Sequence, residues 1–145
     1  MALRMDNVGI VVEDLSAAIA FFERIGLELA GRADASGEWA GRVTGLPGQV
    51  VEVAMMQMPD GHGAVELSRF IRPEPSSDHR DAPVNSLGYL RVMFEVDDIE
   101  ETVSRLRADG AVLVSDEIVR YEDAYLLCYV RGPENILVGL AQSLR

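Results

Sequence analysis

The stretch Gly88-Tyr-Leu-Arg-Val-Met-Phe-Glu-Val-Asp-Asp-Ile-Glu-Glu-Thr-Val-Ser-Arg-Leu-Arg-Ala-Asp-Gly110 reads as a β-strand, an acidic turn and an amphipathic helix that stops at a glycine. Shifted back by 84 positions, it falls without a gap on the stretch from Met5 through Leu15 and the helix after it. Arg91 then lies on Asn7, Val92 on Val8, Phe94 on Ile10 and Val96 on Val12. Asp98 lies on Asp14, Ile99 on Leu15, Val103 on Ile19, Leu106 on Phe22, Gly110 on Gly26 and Leu113 on Leu29. The chain therefore carries two copies of one supersecondary unit. Asn7 and Arg91, both polar at matched strand positions, pose the functional question.

An 84-residue offset in 145 residues is too long for a solenoid repeat and too short for two independent domains. The expected organisation is a single domain, 1–145, with module one at 1–70, a linker at 71–87 and module two at 88–145. The linker is marked by Pro73, Pro75 and Pro83 and the polar run from Ser76 to Asp81. The first apolar run, Val8 to Val12, is cut short by Glu13-Asp14, unlike a signal peptide. No apolar stretch reaches the roughly 18 residues of a membrane span. The one cysteine, Cys128, has no partner for a disulfide, and a cytoplasmic location is expected. Against 24 acidic residues stand 13 basic ones, a formal charge of −11. That balance argues against a nucleic-acid partner, and any anion site must be a local cluster of arginines.

In chain order, a strand is predicted over 4–12 with Asn7 inside it, then a helix capped by Asp14 or Ser16 and ended by Gly26. A strand at 27–32, a glycine-dotted loop at 33–48 holding Trp39 and Arg42, and strands at 49–58 and 64–70 complete module one. The last of these strands contains Glu66. Module two repeats the order with a strand at 88–97, a helix at about 99–109, and strands at 112–115, 124–131 and 136–142. Gly139-Leu140-Ala141 stands where module one has Glu66-Leu67-Ser68.

Four phrases in this order carry a family likeness: Met5-Asp-Asn-Val-Gly-Ile-Val-Val-Glu-Asp-Leu15, Val65-Glu-Leu-Ser-Arg-Phe70, Gly88-Tyr-Leu-Arg-Val-Met-Phe-Glu-Val-Asp-Asp-Ile99 and Tyr129-Val-Arg-Gly-Pro-Glu-Asn135. Together they resemble the vicinal oxygen chelate superfamily of glyoxalase I, extradiol dioxygenases, methylmalonyl-CoA epimerase and bleomycin-resistance proteins. The resemblance implies an α+β fold of two βαβββ modules forming a cupped mixed sheet around a cavity. It also implies a homodimer, since relatives often complete the cavity across two chains. Metal-binding members place one ligand on the first and one on the last strand of each module. Those positions here are Asn7, Glu66, Arg91 and Gly139. A guanidinium offers no lone pair to a cation, glycine offers no side chain, and one carboxylate with one amide falls short of a zinc or octahedral site. His62 and His79 lie in turn and linker segments, away from these positions. No cofactor is expected, and the usual metal site is read as lost.

Two readings of Arg91 stay open at this point. It forms an internal ion pair with Glu66, replacing the lost cation, or it forks a carboxylate, phosphate or enolate oxygen of a ligand. Asn7, Trp39, Arg42, Arg91, Tyr125 and Tyr129 are the candidate ligand-binding residues. Trp39 and Arg42 also suit a loop that merely packs down, and Tyr121, Tyr125 and Tyr129 also suit wall packing. Two functions follow. One is a binding protein holding a small anionic organic molecule without a metal. The other is a lyase or isomerase of glyoxalase or epimerase type, with Glu66 as base and Arg91 stabilising an oxyanion. A Glu66 gripped by an arginine makes the poorer proton acceptor, which favours binding.

Overall fold

The computed structural model describes residues 1–145, and the two matched stretches lie in separate units, Met1–Asp78 and His79–Arg145. In the first unit, Asp14 caps the helix by accepting from the Ala17 N–H at 3.0 Å, so α1 (Leu15–Ile25) starts where its apolar period starts. Leu15, Ile19, Phe22 and Ile25 are buried on one stripe of it. Gly26, at φ 122°, ends the helix by turning its N–H onto the Phe22 and Glu23 carbonyls. Around α1 the chain forms β1 (Val8–Val11), β2 (Glu28–Asp34), α2 (Glu38–Thr44), β3 (Val50–Gln57) and β4 (Ala64–Arg72). The sheet order is β1-β4-β3-β2, with β1 parallel to β4 and the other pairs antiparallel. Val51, Ala54, Met56, Val65 and Leu67 are buried, and α1 packs on β3 and β4.

The second unit repeats the plan. Asp98 accepts from the Glu101 N–H at 2.9 Å and starts α3 (Ile99–Ala108), whose Ile99, Thr102, Val103 and Leu106 are buried. Its strands are β5 (Arg91–Glu95), β6 (Val112–Leu113), β7 (Val119–Tyr121), β8 (Tyr125–Arg131) and β9 (Leu137–Ser143). They order as β5-β9-β8-β6, with β7 also on β8 and β5 parallel to β9. The 84-residue offset survives as hydrogen bonds. Val12 donates to the Ser68 carbonyl and Val96 to that of Ala141, both at 2.8 Å. Leu27 donates to Phe22 and Ala111 to Leu106, both at 3.0 Å.

The α+β class and the repeated strand-helix-strand order are as the sequence indicates, but the hydrogen bonds close two sheets, one per unit. The first strands are shorter than predicted because residues 1–7 and 88–90 have no pairing partner, so Asn7 lies just outside β1. The predicted loop at 33–48 contains α2, with both Trp39 and Arg42 on it. Its glycines have structural tasks. Gly45 is the left-handed cap at φ 76°, and a Cβ on buried Gly41 would come within 2.9 Å of the Leu46 carbonyl oxygen. No helix is long and apolar enough to cross a membrane.

Because Asp14 and Asp98 perform the same capping at matched positions, Asp14→Ala and Asp98→Ala should each cost about 1 kcal/mol. Urea denaturation of the two variants measures this, and a cost confined to one of them would contradict their equivalence.

Candidate functional site

The first unit's register sets Gly9 of β1 and Met55 of β3 on either side of Glu66 in β4. Val65 and Leu67 point into the core, so alternation turns Glu66 to the opposite sheet face. The carboxylate is half-buried and makes no ion pair or side-chain hydrogen bond within its unit. A Cβ built on Gly9 would meet nothing within 4 Å, so the sheet face beside Glu66 is open. Asn7 is exposed and its Nδ2 donates to Asp6 Oδ2 at 2.9 Å. Trp39, 58% exposed, and Arg42 stand one turn apart on α2, on a common face. A notch at the start of α1 holds Arg32 and Arg69, but Glu52 pairs with both, at 3.9 and 3.1 Å.

In the second unit, the guanidinium carbon of Arg91 lies 4.9 Å from the Tyr129 ring centroid, a cation–π contact. Register places Met93 of β5, Gly139 of β9 and Tyr129 of β8 in one row across the sheet. A Cβ on Gly139 would come within 3.0 Å of Met93 Cγ and 3.3 Å of Tyr129 Cε1. The space a side chain at 139 would need is thus filled by Met93 and Tyr129. Tyr125 shares the Tyr129 face, with Tyr121 of β7 opposite it. Beside Arg91 opens a cleft of about 420 Å³ lined by Val84, Ser86, Gly88, Tyr89, Leu90, Arg91 and Met93.

The segment leading into that cleft's wall is tied down at residues 80–82. Arg131 donates to the Ala82 carbonyl at 2.9 Å and to that of Asn135 at 3.1 Å. Asn135 Nδ2 donates to Asp81 at 3.2 Å, and Arg80 pairs with Glu134 at 3.7 Å. Residues 80–82 are thereby clipped to the turn between β8 and β9.

Among the sequence candidates, the structure joins Arg91 with Tyr129 and sets Trp39 and Arg42 on the same short helix. Glu66 and Asn7 belong to the first unit and Arg91 to the second. Met93, Tyr89 and Ser86 are cleft residues that sequence reasoning passed over. The signal for Met93 was present: the 84-residue offset lays it on Gly9, just as Gly139 takes the place of Glu66. No group of three His, Cys, Asp or Glu side chains forms a metal-holding set within either unit. Cys128 faces the core at 6% exposure, and burial, with the nearby Glu100 charge adding, pushes its thiol up to about 11.

A family model described as the Glyoxalase/Bleomycin resistance protein/Dioxygenase superfamily matches residues 6–129. The chain belongs to this superfamily. Among solved structures, a glyoxalase family protein from Bacillus cereus is 64% identical, covers 100% of this chain and 97% of its own, and superposes with a TM-score of 0.97. More distant solved structures share the fold. The fosfomycin resistance protein FosX of Listeria monocytogenes, solved with Mn(II) and 1S,2S-dihydroxypropylphosphonic acid, is 15% identical over 97% of this chain and 90% of its own, with TM-score 0.62. TnmS3, an antibiotic binding protein from Streptomyces sp. CB03234, is 19% identical over 99% and 98%, with TM-score 0.63.

Two expectations follow for this superfamily member. Gly139→Ala should cost about 1–3 kcal/mol in denaturation experiments through overpacking against Met93. In a Met93→Ala background most of that cost should vanish, giving a coupling energy of roughly 1 kcal/mol in the double-mutant cycle. Cys128 should resist thiol reagents in the native state and react once unfolded. Since its folded pKa of about 11 exceeds the ordinary 9.0, its contribution to stability should be fully present below pH 9 and be lost as pH rises towards 11. Comparing unfolding of wild type and Cys128→Ala across that range measures it.

Proposed function

We propose that the protein binds a small anionic organic molecule without a bound metal, with Arg91 as the anchor. The observation that carries this reading is the state of Arg91. It is exposed on a sheet face, steadied by Tyr129, borders a cleft, and has no acidic partner within its unit. Arg4, Arg32, Arg69, Arg80, Arg105 and Arg120, in contrast, each pair with a carboxylate. A forked guanidinium held by an aromatic ring suits a ligand oxyanion. The family positions Asn7, Glu66, Arg91 and Gly139 do not fit a divalent ion: one is a cation, one lacks a side chain, and Asn7 offers only a neutral amide oxygen beside the single carboxylate of Glu66. Trp39 and Arg42 on α2, and Tyr125 beside Tyr129, are further binding residues in this reading. A homodimer is part of it too, and sedimentation tests that directly.

One observation favours a second reading, a lyase or isomerase. Glu66 is half-buried, unpaired within its unit, and faces the open space over Gly9, as a base that removes a proton next to a carbonyl must.

Metal analysis of the purified protein should give well under one equivalent of transition metal, and a full equivalent lost in Glu66→Gln would overturn the metal-free reading. A calorimetric screen of carboxylates and glutathione conjugates should yield ligands whose affinity falls about tenfold or more in Arg91→Ala. Unchanged binding in that variant would remove Arg91 as anchor. Deuterium exchange from solvent into α-carbonyl compounds, abolished by Glu66→Gln, would establish the enzymatic reading instead.

A further inference from the structure

We infer that the second unit alone carries a subsite for an aromatic monocarboxylate, with the carboxylate on Arg91 and the ring in the cleft formed by Val84, Ser86, Tyr89 and Met93. This rests on the reading of Arg91 as an anion anchor and adds the ligand's charge, shape and seat.

All 13 basic residues of the chain are arginines, so no lysine can act as a compact point-charge anchor. The guanidinium carbon of Arg91 lies 4.9 Å from the centroid of the Tyr129 ring. With no ion pair within the unit, the N–H donors of its fork suit a planar acceptor with two oxygens, such as a carboxylate. The charge is expected to be one. A single guanidinium meets the ligand here, and a chain of formal charge −11 opposes a dianion such as a phosphate monoester.

The body of the ligand is set by the walls. Val84, Leu90 and Met93 give apolar patches, the fully exposed Tyr89 ring stands at the rim, and the polar part of the lining includes the Ser86 hydroxyl, which can meet one polar substituent. The thioether of Met93 and the ring of Tyr89 both favour an aromatic neighbour over an aliphatic one. About 420 Å³ is at the small end of the roughly 300–1,000 Å³ typical of ligand pockets. Ahead of the cleft residues, Arg80, Asp81 and Ala82 are fastened to the Gly132–Asn135 turn, which fixes where the wall begins. Tyr129 acts here as a positioning residue, through Arg91.

Titration of the full-length protein with benzoate, benzamide and acetate, followed by amide NMR shifts, tests the subsite. Benzoate should saturate with a roughly millimolar Kd, as befits so small a ligand, and shift the signals of residues 84–93. Benzamide, which lacks the charge, and acetate, which lacks the ring, should each bind about tenfold more weakly or worse. Arg91→Met should abolish the preference for benzoate over benzamide. Tyr129→Phe should retain it, since the ring face persists, whereas Tyr129→Leu should weaken benzoate about threefold or more. Arg107→Ala, which removes a positive charge from α3, should leave benzoate affinity unchanged.

Absence of saturable benzoate binding, equal binding of benzamide, or unchanged selectivity in a folded Arg91→Met protein would each overturn the subsite. Benzoate binding lost in Arg42→Ala but kept in Arg91→Met would overturn it as well, while leaving an anion-binding protein. If instead a glutathione conjugate binds in an Arg91-dependent manner and benzoate does not, the subsite falls and the broader function stands.

Discussion

Each unit depends on one constraint: its first strand must lie parallel to its last. A parallel pair cannot be closed by a tight turn, so everything between the two strands has to serve as the connection. In the first unit that connection is α1, β2, α2 and β3, and its closure sets Val8–Val11 against Val65–Ser68. In the second unit it sets Arg91–Glu95 against Leu137–Ala141. Pairing residues so distant in sequence fixes both outcomes of the fold. One face of each sheet is buried under a helix, and the other gathers side chains from the beginning and end of the unit.

On that second face, the central register position of each parallel pair sets one glycine against one large side chain. The first unit assigns it to Glu66 and leaves Gly9 bare opposite, whereas the second assigns it to Met93 and leaves Gly139 bare. The same geometry therefore presents a carboxylate in one copy and a thioether in the other. With a glycine at 139 and Arg91 next in line, the second copy is cationic and apolar where the first presents a carboxylate. The aromatic ring of Tyr129 helps to hold the guanidinium that this exchange left without a partner.

Much of this was legible in the sequence because it is written in local patterns. The helix stripes Leu15-Ile19-Phe22-Ile25 and Ile99-Val103-Leu106, the caps Asp14 and Asp98, and the terminating Gly26 and Gly110 all follow from short-range rules. Duplication then revealed the order of the units and singled out Arg91. What escaped the sequence depended on tertiary packing. Gly37, Gly41 and Gly45 look like loop residues, yet they bound and pack a helix whose close approach to Leu46 only the fold discloses. The strand Val119–Tyr121 is three residues long, and its hydrogen bonds are made to β8 rather than implied by any period. Tyr129 was recognisable as a site candidate, but its position under Arg91 required the register of β8, β9 and β5. The polar run in the linker suggested solvent, whereas Arg80 and Asp81 meet Glu134 and Asn135 some fifty residues later in the chain.

That last feature separates two demands that usually compete. The fastening of residues 80–82 uses a turn and a few polar groups, none of them in the core beneath α3. Beyond it, Pro83, Val84, Asn85, Leu87 and Tyr89 carry exposed side chains, Leu87 and Tyr89 being fully so. Their composition can drift with little effect on folding, while every change redraws the wall beside Arg91. The second unit thus has an evolvable rim on an inherited frame, where new ligand preferences can arise by surface substitution alone.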